Sequence, residues 1–357
     1  MIHRMKILLY EPGTAGHRPV ILRYTIKVLQ QAGIDCVHEG RDLRSKPSEL
    51  VQCARLNGCH IIYIMTLESL ACFAWWVSWL AWRRGIRVIC TYYLFNNLRD
   101  GWKAWVWKLL LITGKIDTIF ISDEGLRDGA RKYPRQVCYL PDPWDPDEFL
   151  PCYQEAARRK LEIPSDAVVF LMFGAINERK GADLLLEAIE RFPACTVTGK
   201  LMFLLIGKST EAIRLKHNQI CGMFPGNVRC LLHDNFVEEQ DVSVYFHAAD
   251  YVMVAYPASF KVSSGGVTRA LAAGRPIIVP DHGVNAELVR KAQCGYIFEH
   301  GNVKALRRVM VTAFQNRLSD GGVWRDQSKQ AFEIGQQRIL RTYGYFLLPK
   351  LSIGNEY

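Results

Sequence analysis

Short apolar runs alternate with amphipathic stretches along the first third of the chain. Residues 5–10 are mostly apolar and end at Glu-Pro-Gly, a pattern that predicts a buried strand. Residues 19–33 repeat apolar side chains at helical spacing and end at Gly33, which predicts a helix. Such alternation is typical of a parallel, doubly wound sheet. Further strands of this half are predicted at residues 35–38, 60–65, 87–93 and 118–122.

A proline-rich segment interrupts this pattern at residues 140–149. Three prolines within six residues disfavour regular structure and indicate a domain boundary. The alternation then resumes, with helices predicted at residues 181–192 and 328–348. We therefore predict an α/β protein with two doubly wound, Rossmann-like domains that face a ligand-binding cleft. The strands predicted for the second half lie at residues 168–173, 201–206, 228–232, 251–255 and 276–279.

Positive charge and tryptophan are concentrated in one part of the first half. The chain carries 45 Lys and Arg against 35 Asp and Glu, a net charge of +10. Residues 83–115 hold seven of these cations and a single Asp, and residues 75–107 hold seven of the nine tryptophans. A basic, tryptophan-rich stretch indicates an anionic partner, whether membrane headgroups, nucleic acid or a phosphorylated substrate.

Within this stretch, residues 102–111 have helical periodicity. Trp102 and Trp105 share one face, and Lys103 and Lys108 flank that face on either side. The pattern predicts contact with a membrane through these four residues, with tryptophan at headgroup level and lysine toward anionic lipid. A core helix whose lysines are merely solvated is the alternative.

Several classes of protein are disfavoured by what the sequence lacks. The uncharged run at residues 69–82 has 14 residues, whereas a spanning helix needs about 20, so a transmembrane segment is not expected. A buried helix of the first domain is predicted there, and a helix that joins the membrane-contact surface is the alternative. The N-terminus shows no secretory signal, and the 11 cysteines form no C-x-x-C pair, which disfavours a disulfide framework and a zinc site. Asp145 and Asp147 have metal-binding spacing but lie in the proline-rich segment, so no metal site is expected. The simplest compartment is the cytoplasm.

Four segments of the second half occur in an order known from one enzyme family. They are residues 173–181 (FGAINERKG), 248–255 (AADYVMVA), 263–276 (SSGGVTRALAAGRP) and 295–298 (GYIF). Together they resemble the family-four retaining glycosyltransferases of GT-B fold, and the resemblance covers about residues 5–310. It implies an N-terminal, acceptor-side domain of residues 1–155 completed by about 335–357. Residues 156–334 would form the donor-binding domain.

These motifs also carry groups suited to a donor diphosphate, whose charge must be neutralised as the sugar bond breaks. Lys180 lies where a strand gives way to a helix. Gly265 and Gly266 precede a helix whose N-terminus can bind an anion. The resemblance also implies a glycine-rich loop after the first strand. The predicted donor-binding residues are Gly13, Gly16, Gly174, Arg179, Lys180, Lys261, Ser264, Gly265, Gly266 and Val267.

Three residues are predicted to be catalytic: Lys180, Arg269 and His17. Each has a plainer interpretation. Arg179 and Lys180 could form a solvated basic turn, and His17 could bond to its own helical turn. Arg269 could either join the diphosphate clamp or pair with a carboxylate.

The sequence departs from the family at its most characteristic motif. Members carry two glutamates separated by seven residues, of which the second holds the donor ribose hydroxyls. Lys261 and Arg269 stand at the matching positions, which reverses both charges. Ala175 also replaces an arginine found in many members. Ribose recognition therefore cannot be carried over from the family.

The sequence thus predicts a retaining glycosyltransferase that moves a sugar from a nucleotide-sugar to a glycan or lipid-linked acceptor. It would be cytoplasmic, acting at the inner face of the membrane, and would need no cofactor or metal. The alternative is a catalytically weak GT-B-like partner subunit of a glycan-assembly complex. No nucleic-acid-binding motif accompanies the positive charge, so nucleic acid is not expected as a partner. The oligomeric state stays open.

Overall fold

The structure of the protein is a computed structural model. It describes residues 5–14, 18–67, 71–92, 113–122, 136–193, 197–260, 264–319 and 322–351. The chain divides into two compact units. The first unit comprises residues 1–143 and 340–357, and the second comprises residues 144–339.

The first unit is built on a parallel sheet of six strands in the order β2-β1-β3-β4-β5-β6. Its strands are β1 (Lys6–Tyr10), β2 (Asp35–Glu39), β3 (Ile61–Ile64), β4 (Arg87–Thr91), β5 (Ile116–Ile121) and β6 (Val137–Tyr139). Its first described helices are α1 (Arg18–Gln31), α2 (Pro47–Leu56) and α3 (Ala71–Trp82). Strands such as β1 and β3 are almost wholly buried, as expected for a parallel sheet covered on both faces.

The second unit contains another six-stranded parallel sheet, in the order β12-β11-β10-β7-β8-β9. Its strands are β7 (Ala167–Phe173), β8 (Lys200–Ile206), β9 (Val228–His233), β10 (Tyr251–Met253), β11 (Ile277–Pro280) and β12 (Gly295–Phe298). The helices of this unit are α4 (Gln154–Lys160), α5 (Ala182–Glu190), α6 (Glu211–Cys221), α7 (Glu239–Ala248), α8 (Gly265–Ala272), α9 (Gly283–Ala292), α10 (Val303–Leu318) and α11 (Gly322–Gln336).

Two hydrophobic cores lie on opposite faces of the second sheet. Val169 and Leu171 of β7 belong to one core, whereas Val168, Phe170 and Met172 belong to the other. This division follows from the period of two in a β-strand, which sends successive side chains to opposite faces. A strand buried on both faces must be apolar throughout, and this explains the unbroken apolar runs in the sequence.

The predicted helix over residues 328–348 is two helices, α11 and α12 (Leu340–Leu351). Between them, the Trp144 indole donates to the Gly335 carbonyl at 2.7 Å and the Trp144 amide to Arg338 O at 3.1 Å. α12 belongs to the first unit, where Tyr343 OH lies 2.8 Å from Thr25 Oγ1 of α1. The contacts of Trp144 therefore fix the turn between the two helices.

The division between the compact units differs from the predicted domain bounds. Residues 144–155 belong to the second unit because Trp144 and Phe149 are buried in one of its cores, with ring centroids 6.1 Å apart. The Asp145 carboxylate accepts the Asp147 N–H at 3.0 Å, closing a turn. No cluster of three or more metal-binding side chains occurs among the described residues. The predicted cleft between the domains stays a prediction.

The tryptophan-rich helix α3 is only partly buried. Phe73, Val77 and Ala81 face the interior, while Trp76 and Trp82 are about half exposed, at 54% and 53%. Across the described parts of the chain, every helix is too short or too polar to cross a membrane. The predicted membrane-contact residues lie outside the described residues: Trp102, Lys103, Trp105 and Lys108.

Candidate functional site

The order of strands in the second unit identifies a place for a ligand. β7 pairs with β8 on one side and with β10 on the other, so the direction of winding reverses between β7 and β10. In doubly wound sheets, ligands bind at this switch point, outside the carboxyl ends of the strands. The loop after β7 contains residues 174–181, and the segment after β10 contains residues 254–256. Both segments contribute to the candidate site.

Two glycines allow the loop after β7 to pack closely. Gly181 has a φ of +73°, and a Cβ at that position would lie 1.8 Å from Ala255 O. Gly174 has a φ of +105°, and its Cβ would lie 2.6 Å from Lys180 Nζ. Any other residue would be strained at these dihedrals, and at position 181 it would also clash with the backbone of Ala255. The glycines thus bring Lys180 against the ends of β7 and β10.

Lys180 ends a short 3-10 turn at the switch point. The Asn177 side chain accepts the Lys180 N–H at 3.2 Å, and Lys180 Nζ lies 3.5 Å from Phe173 O. Burial, and after it the charges of Arg179 and Arg269, together lower the pKa of Lys180 to about 8. Lys180 is therefore a partly desolvated cation beside two others. A bound anion would relieve their mutual repulsion.

Arg269 lies on α8 and pairs with a carboxylate from another helix. Its Nη2 is 2.6 Å from Glu239 Oε1, at the first residue of α7. The sequence left this pairing open, and Glu239 was not among the predicted site residues. An acidic residue in the first turn of a helix is too common a signal to reveal it. The ion pair leaves Arg269 close enough to Lys180 for its charge to lower the Lys180 pKa.

Within the described part of this site, Lys180 and Arg179 form no ion pair with a carboxylate. Arg179 is exposed, and Lys180 and Arg269 are half-buried. We call Arg179, Lys180 and Arg269 the edge cluster. With Glu239 as its neighbouring carboxylate, the edge cluster carries an excess of positive charge at the mouth of the switch point.

The N-terminus of α8 adds backbone donors to this region. Helix geometry leaves the amides of the first turn, residues 265–267, without intrahelical acceptors. Ser264 is the N-cap residue, but its side chain forms no capping hydrogen bond with these amides. Its hydroxyl instead lies 2.7 Å from Tyr256 OH. Gly265 and Gly266 thus present amides suited to an anion, whereas the Val267 side chain is buried in the core.

Tyr256 connects the segment after β10 to the basic loop. Burial raises its pKa, while the charge of Arg179 acts in the opposite direction. Its ring stacks on Phe260 with centroids 3.8 Å apart, and its carbonyl lies 3.2 Å from His282 Nε2. Tyr256 and His282 were not among the site residues predicted from the sequence. Their only signal in the sequence was that Tyr256 directly follows one predicted strand and His282 lies three residues after another.

The first unit has a switch point of its own, between β1 and β3. There the buried Glu11 accepts the Gly13 N–H at 2.8 Å and the Thr66 hydroxyl. A Cβ on Gly13 would lie 2.4 Å from Arg18 Cδ and 2.8 Å from Glu11 Oε1. The Gly13 amide, predicted to contact phosphate, is therefore already bonded to a carboxylate. Glu11 was not singled out from the sequence.

Three predicted site residues cannot be placed: Gly16, His17 and Lys261 lie outside the described residues. A cavity of about 260 Å³ lies elsewhere in the second unit, between Phe192, just after α5, and Phe314 of α10. It is near the end of α5, on the side of the sheet away from the carboxyl ends. The cavity does not form part of the candidate site.

The second unit matches a known protein family in sequence. Residues 153–330 match the family model described as "Glycosyl transferases group 1". Residues 153–330 are a glycosyl transferases group 1 domain. The group 1 domain contains the edge cluster, Glu239 and the N-terminus of α8, so the predicted resemblance is confirmed for this half.

A curated relative also matches this chain. A D-inositol 3-phosphate glycosyltransferase from Geodermatophilus obscurus is 32% identical over 173 residues. The match covers 46% of this chain and 37% of the relative, so the chain spans little more than a third of that protein.

Solved structures resemble the chain over nearly all its length. Sucrose-phosphate synthase from Thermosynechococcus elongatus superposes with a TM-score of 0.68 at 17% identity, covering 96% of this chain and 97% of its own. Anabaena HepE in complex with UDP and glucose has a TM-score of 0.68 at 15% identity, covering 98% and 99%. At these identities the likeness concerns the fold. The predicted α/β fold with two Rossmann-like domains of GT-B type is confirmed.

Proposed function

We propose that this chain is a glycosyltransferase whose group 1 domain holds the diphosphate of a nucleotide-sugar donor. The observation that carries the proposal is the edge cluster at the switch point, where the pKa of half-buried Lys180 is lowered to about 8. Unpaired cations beside an uncapped helix N-terminus form an anion site. UDP bound to Anabaena HepE, a protein of the same fold, supports a nucleoside diphosphate as that anion.

The proposed chemistry uses these groups on the leaving diphosphate. As the bond between the sugar and the β-phosphate breaks, negative charge grows on the phosphate oxygen. The Lys180 ammonium and the amides of Gly265 and Gly266 would stabilise that charge without reorganising. In a reaction that retains anomeric configuration, the acceptor oxygen attacks from the side of the departing phosphate. The phosphate oxygen takes the acceptor proton, so no protein base is required.

We place the donor ribose at Glu239. In the glycosyltransferase family that this chain resembles, the position of Arg269 is occupied by a glutamate that binds the ribose. Here Arg269 Nη2 lies 2.6 Å from Glu239 Oε1. The Glu239 side chain is 38% exposed, so one carboxylate oxygen can still accept hydrogen bonds. A carboxylate is the usual partner of ribose hydroxyls in nucleotide-binding sheets. The carboxylate would then come from α7 instead of α8.

We also propose a glycan or lipid-linked acceptor at the cytoplasmic face of a membrane. On α3, Trp76 and Trp82 are exposed, and Lys115 Nζ lies 4.6 Å from the Trp82 ring centroid. Interfacial tryptophan with neighbouring lysine suits anionic headgroups. Co-sedimentation with vesicles of anionic and of neutral lipid tests this part, with Trp76→Ser as the variant. Equal binding to both kinds of vesicle would contradict it.

The activity is tested with the purified chain and a panel of UDP-, GDP- and ADP-sugars. The measurement is release of nucleoside diphosphate, with and without lipid-linked glycan acceptors. Turnover by the wild-type chain supports the proposal. Donor binding without turnover would favour the alternative, a partner subunit that has lost catalysis. A folded chain that binds no nucleotide-sugar would overturn the proposal.

A further inference from the structure

The end of helix α6 brings together an imidazole and two thiols outside the candidate donor site. His217 and Cys221 lie one turn apart on α6, and Cys230 lies on the neighbouring strand β9. Cys221 Sγ is 3.0 Å from His217 Nε2 and 3.1 Å from the Cys230 carbonyl oxygen. His217 Nε2 is also 3.2 Å from that carbonyl. We call these three residues the thiol cluster.

The two thiols of this cluster differ in exposure and in acidity. Cys221 is partly exposed, whereas Cys230 and His217 are buried. A hydrogen bond from the Cys230 thiol, together with the charge of His217, lowers the pKa of Cys221 to about 6. The same contact and burial raise the pKa of Cys230. The lowered pKa favours the thiolate of Cys221, and the thiolate is the reactive form of a cysteine.

The other described thiols do not combine partial exposure with a contact to an imidazole. Burial raises the pKa of Cys59 and of Cys294 to about 11, and it raises the pKa of Cys90 as well. Cys152 is partly exposed like Cys221, but its sulfur donates to a backbone carbonyl, that of Tyr153 at 3.4 Å, and packs against a hydrophobic core. Cys152 thus provides a matched control of similar exposure.

We propose that Cys221 is an oxidation site for peroxides and that Cys230 is its resolving partner. In the first step, the Cys221 thiolate attacks one peroxide oxygen, the O–O bond breaks, and Cys221 becomes a sulfenic acid. The other peroxide oxygen leaves as hydroxide or alkoxide and is protonated by solvent. In the second step, the Cys230 sulfur attacks the Cys221 sulfur, a disulfide forms, and water leaves with the Cys230 proton. Cys221 and Cys230 together lose two electrons, and the peroxide gains them.

The position of the thiol cluster separates this chemistry from sugar transfer. α6 follows β8, so its first residues lie at the carboxyl edge of the sheet and Cys221 lies toward the opposite edge. The edge cluster is at the carboxyl edge. A disulfide between Cys221 and Cys230 would tie α6 to β9 across a loop of eight residues, 222–229, without entering the donor site. Oxidation should therefore leave binding of UDP unchanged.

Peptide mapping of the full chain tests the proposal directly. Trypsin cuts after Lys216, Arg229 and Lys261, so the disulfide would join two separate peptides, residues 217–229 and 230–261. The reduced wild-type protein is treated with one equivalent of hydrogen peroxide at pH 7, alkylated, unfolded and digested. We expect the joined peptides to be the first oxidation product, with Cys221 reacting about tenfold faster than Cys152.

Two variants assign the separate roles. Cys230→Ser should stop the reaction at a sulfenic acid on Cys221, which dimedone captures. His217→Gln should slow alkylation of Cys221 by iodoacetamide several-fold, while Cys152→Ser should leave the Cys221 rate unchanged. Cys221 reacting no faster than Cys152, or the absence of joined peptides from the wild-type digest, would overturn the proposal. This wild-type measurement does not depend on the folding of any variant.

Discussion

Two groups of cations in the group 1 domain differ in how their charge is balanced. In the first, Asp250 lies just before β10 and has no exposed surface. Its carboxylate binds Arg158 Nη2 at 2.6 Å, Arg317 Nε at 2.7 Å and the Val169 amide at 2.8 Å. We call Arg158, Asp250 and Arg317 the buried triad. Each arginine of the triad therefore has a carboxylate partner within the chain.

The edge cluster is the opposite case. Arg179, Lys180 and Arg269 have Glu239 as their nearby carboxylate, and it binds Arg269. Desolvation lowers the pKa of Lys180 without a paired anion to restore it. Retaining such a lysine destabilises the folded chain unless a ligand supplies the missing charge. The difference shows which cations support the fold and which ones are arranged for a ligand.

The largest effect is expected in the buried triad. Asp250→Ala would leave Arg158 buried without its counter-charge and should destabilise the fold by about 3–5 kcal/mol. Urea unfolding followed by tryptophan fluorescence measures this loss. Asp166→Ala, which removes an exposed ion pair with Lys200, is the control and should leave the midpoint nearly unchanged. Equal shifts for both variants would remove the distinction between a structural and a surface ion pair.

The second largest effect is expected on the rate of sugar transfer, when the edge cluster is altered. Lys180→Ala should slow sugar transfer by about 10²–10³-fold, because it removes a preorganised charge from the leaving diphosphate. The unfolding midpoint of Lys180→Ala should not fall, because the substitution removes a cation that is costly to keep desolvated. Lys208→Ala removes an exposed lysine just after β8, at the same edge of the sheet. Equal losses of transfer in the two variants would show that only the general positive potential matters.

A smaller effect separates two roles of Glu239. If Glu239 accepts the ribose hydroxyls, Glu239→Gln should weaken UDP binding about tenfold. The loss should be smaller for 2′-deoxy-UDP, which lacks one of those hydroxyls. If Glu239 only neutralises Arg269, its removal would raise the positive charge and tighten the binding of both nucleotides. Calorimetric titration of the two nucleotides against wild type and variant distinguishes these outcomes.

Much of the fold could be predicted because its cause is local. β7 is an unbroken apolar run, β8 is apolar after Lys200, and each is followed by a glycine with positive φ, Gly174 or Gly207. These features are visible in the sequence. By contrast, β6 has three residues, Val137–Tyr139, which is too short for a pattern to stand out. The break after α11 depends on Trp144, about 190 residues earlier in the chain.

The candidate site was only partly predictable, because some of its contacts join residues that lie far apart in the sequence. The position of Lys180 before Gly181 is a local signal, and it led to the switch point. The Arg269–Glu239 pair joins two helices, and the hydrogen bond between Tyr256 and Ser264 joins residues eight positions apart. Neither contact has a sequence spacing that predicts it. Pairing across a fold is decided by packing, which a single sequence does not display.

The central claim is that the edge cluster binds a diphosphate through Lys180. The most direct test is calorimetric titration with UDP, and then with GDP, at pH 8 in two buffers of different ionisation enthalpy. Free Lys180 has a pKa of about 8, and a bound diphosphate should raise that pKa, so the complex holds more protons than the free chain. The nucleotide itself is already ionised, since its last phosphate pKa is about 6.

We expect wild type to take up roughly half a proton per nucleotide bound at pH 8, with affinity falling as the pH rises above that value. Lys180→Ala should bind more weakly and take up none. Lys208→Ala should behave like wild type. Tight binding without proton uptake, or equal uptake by wild type and Lys180→Ala, would contradict the account.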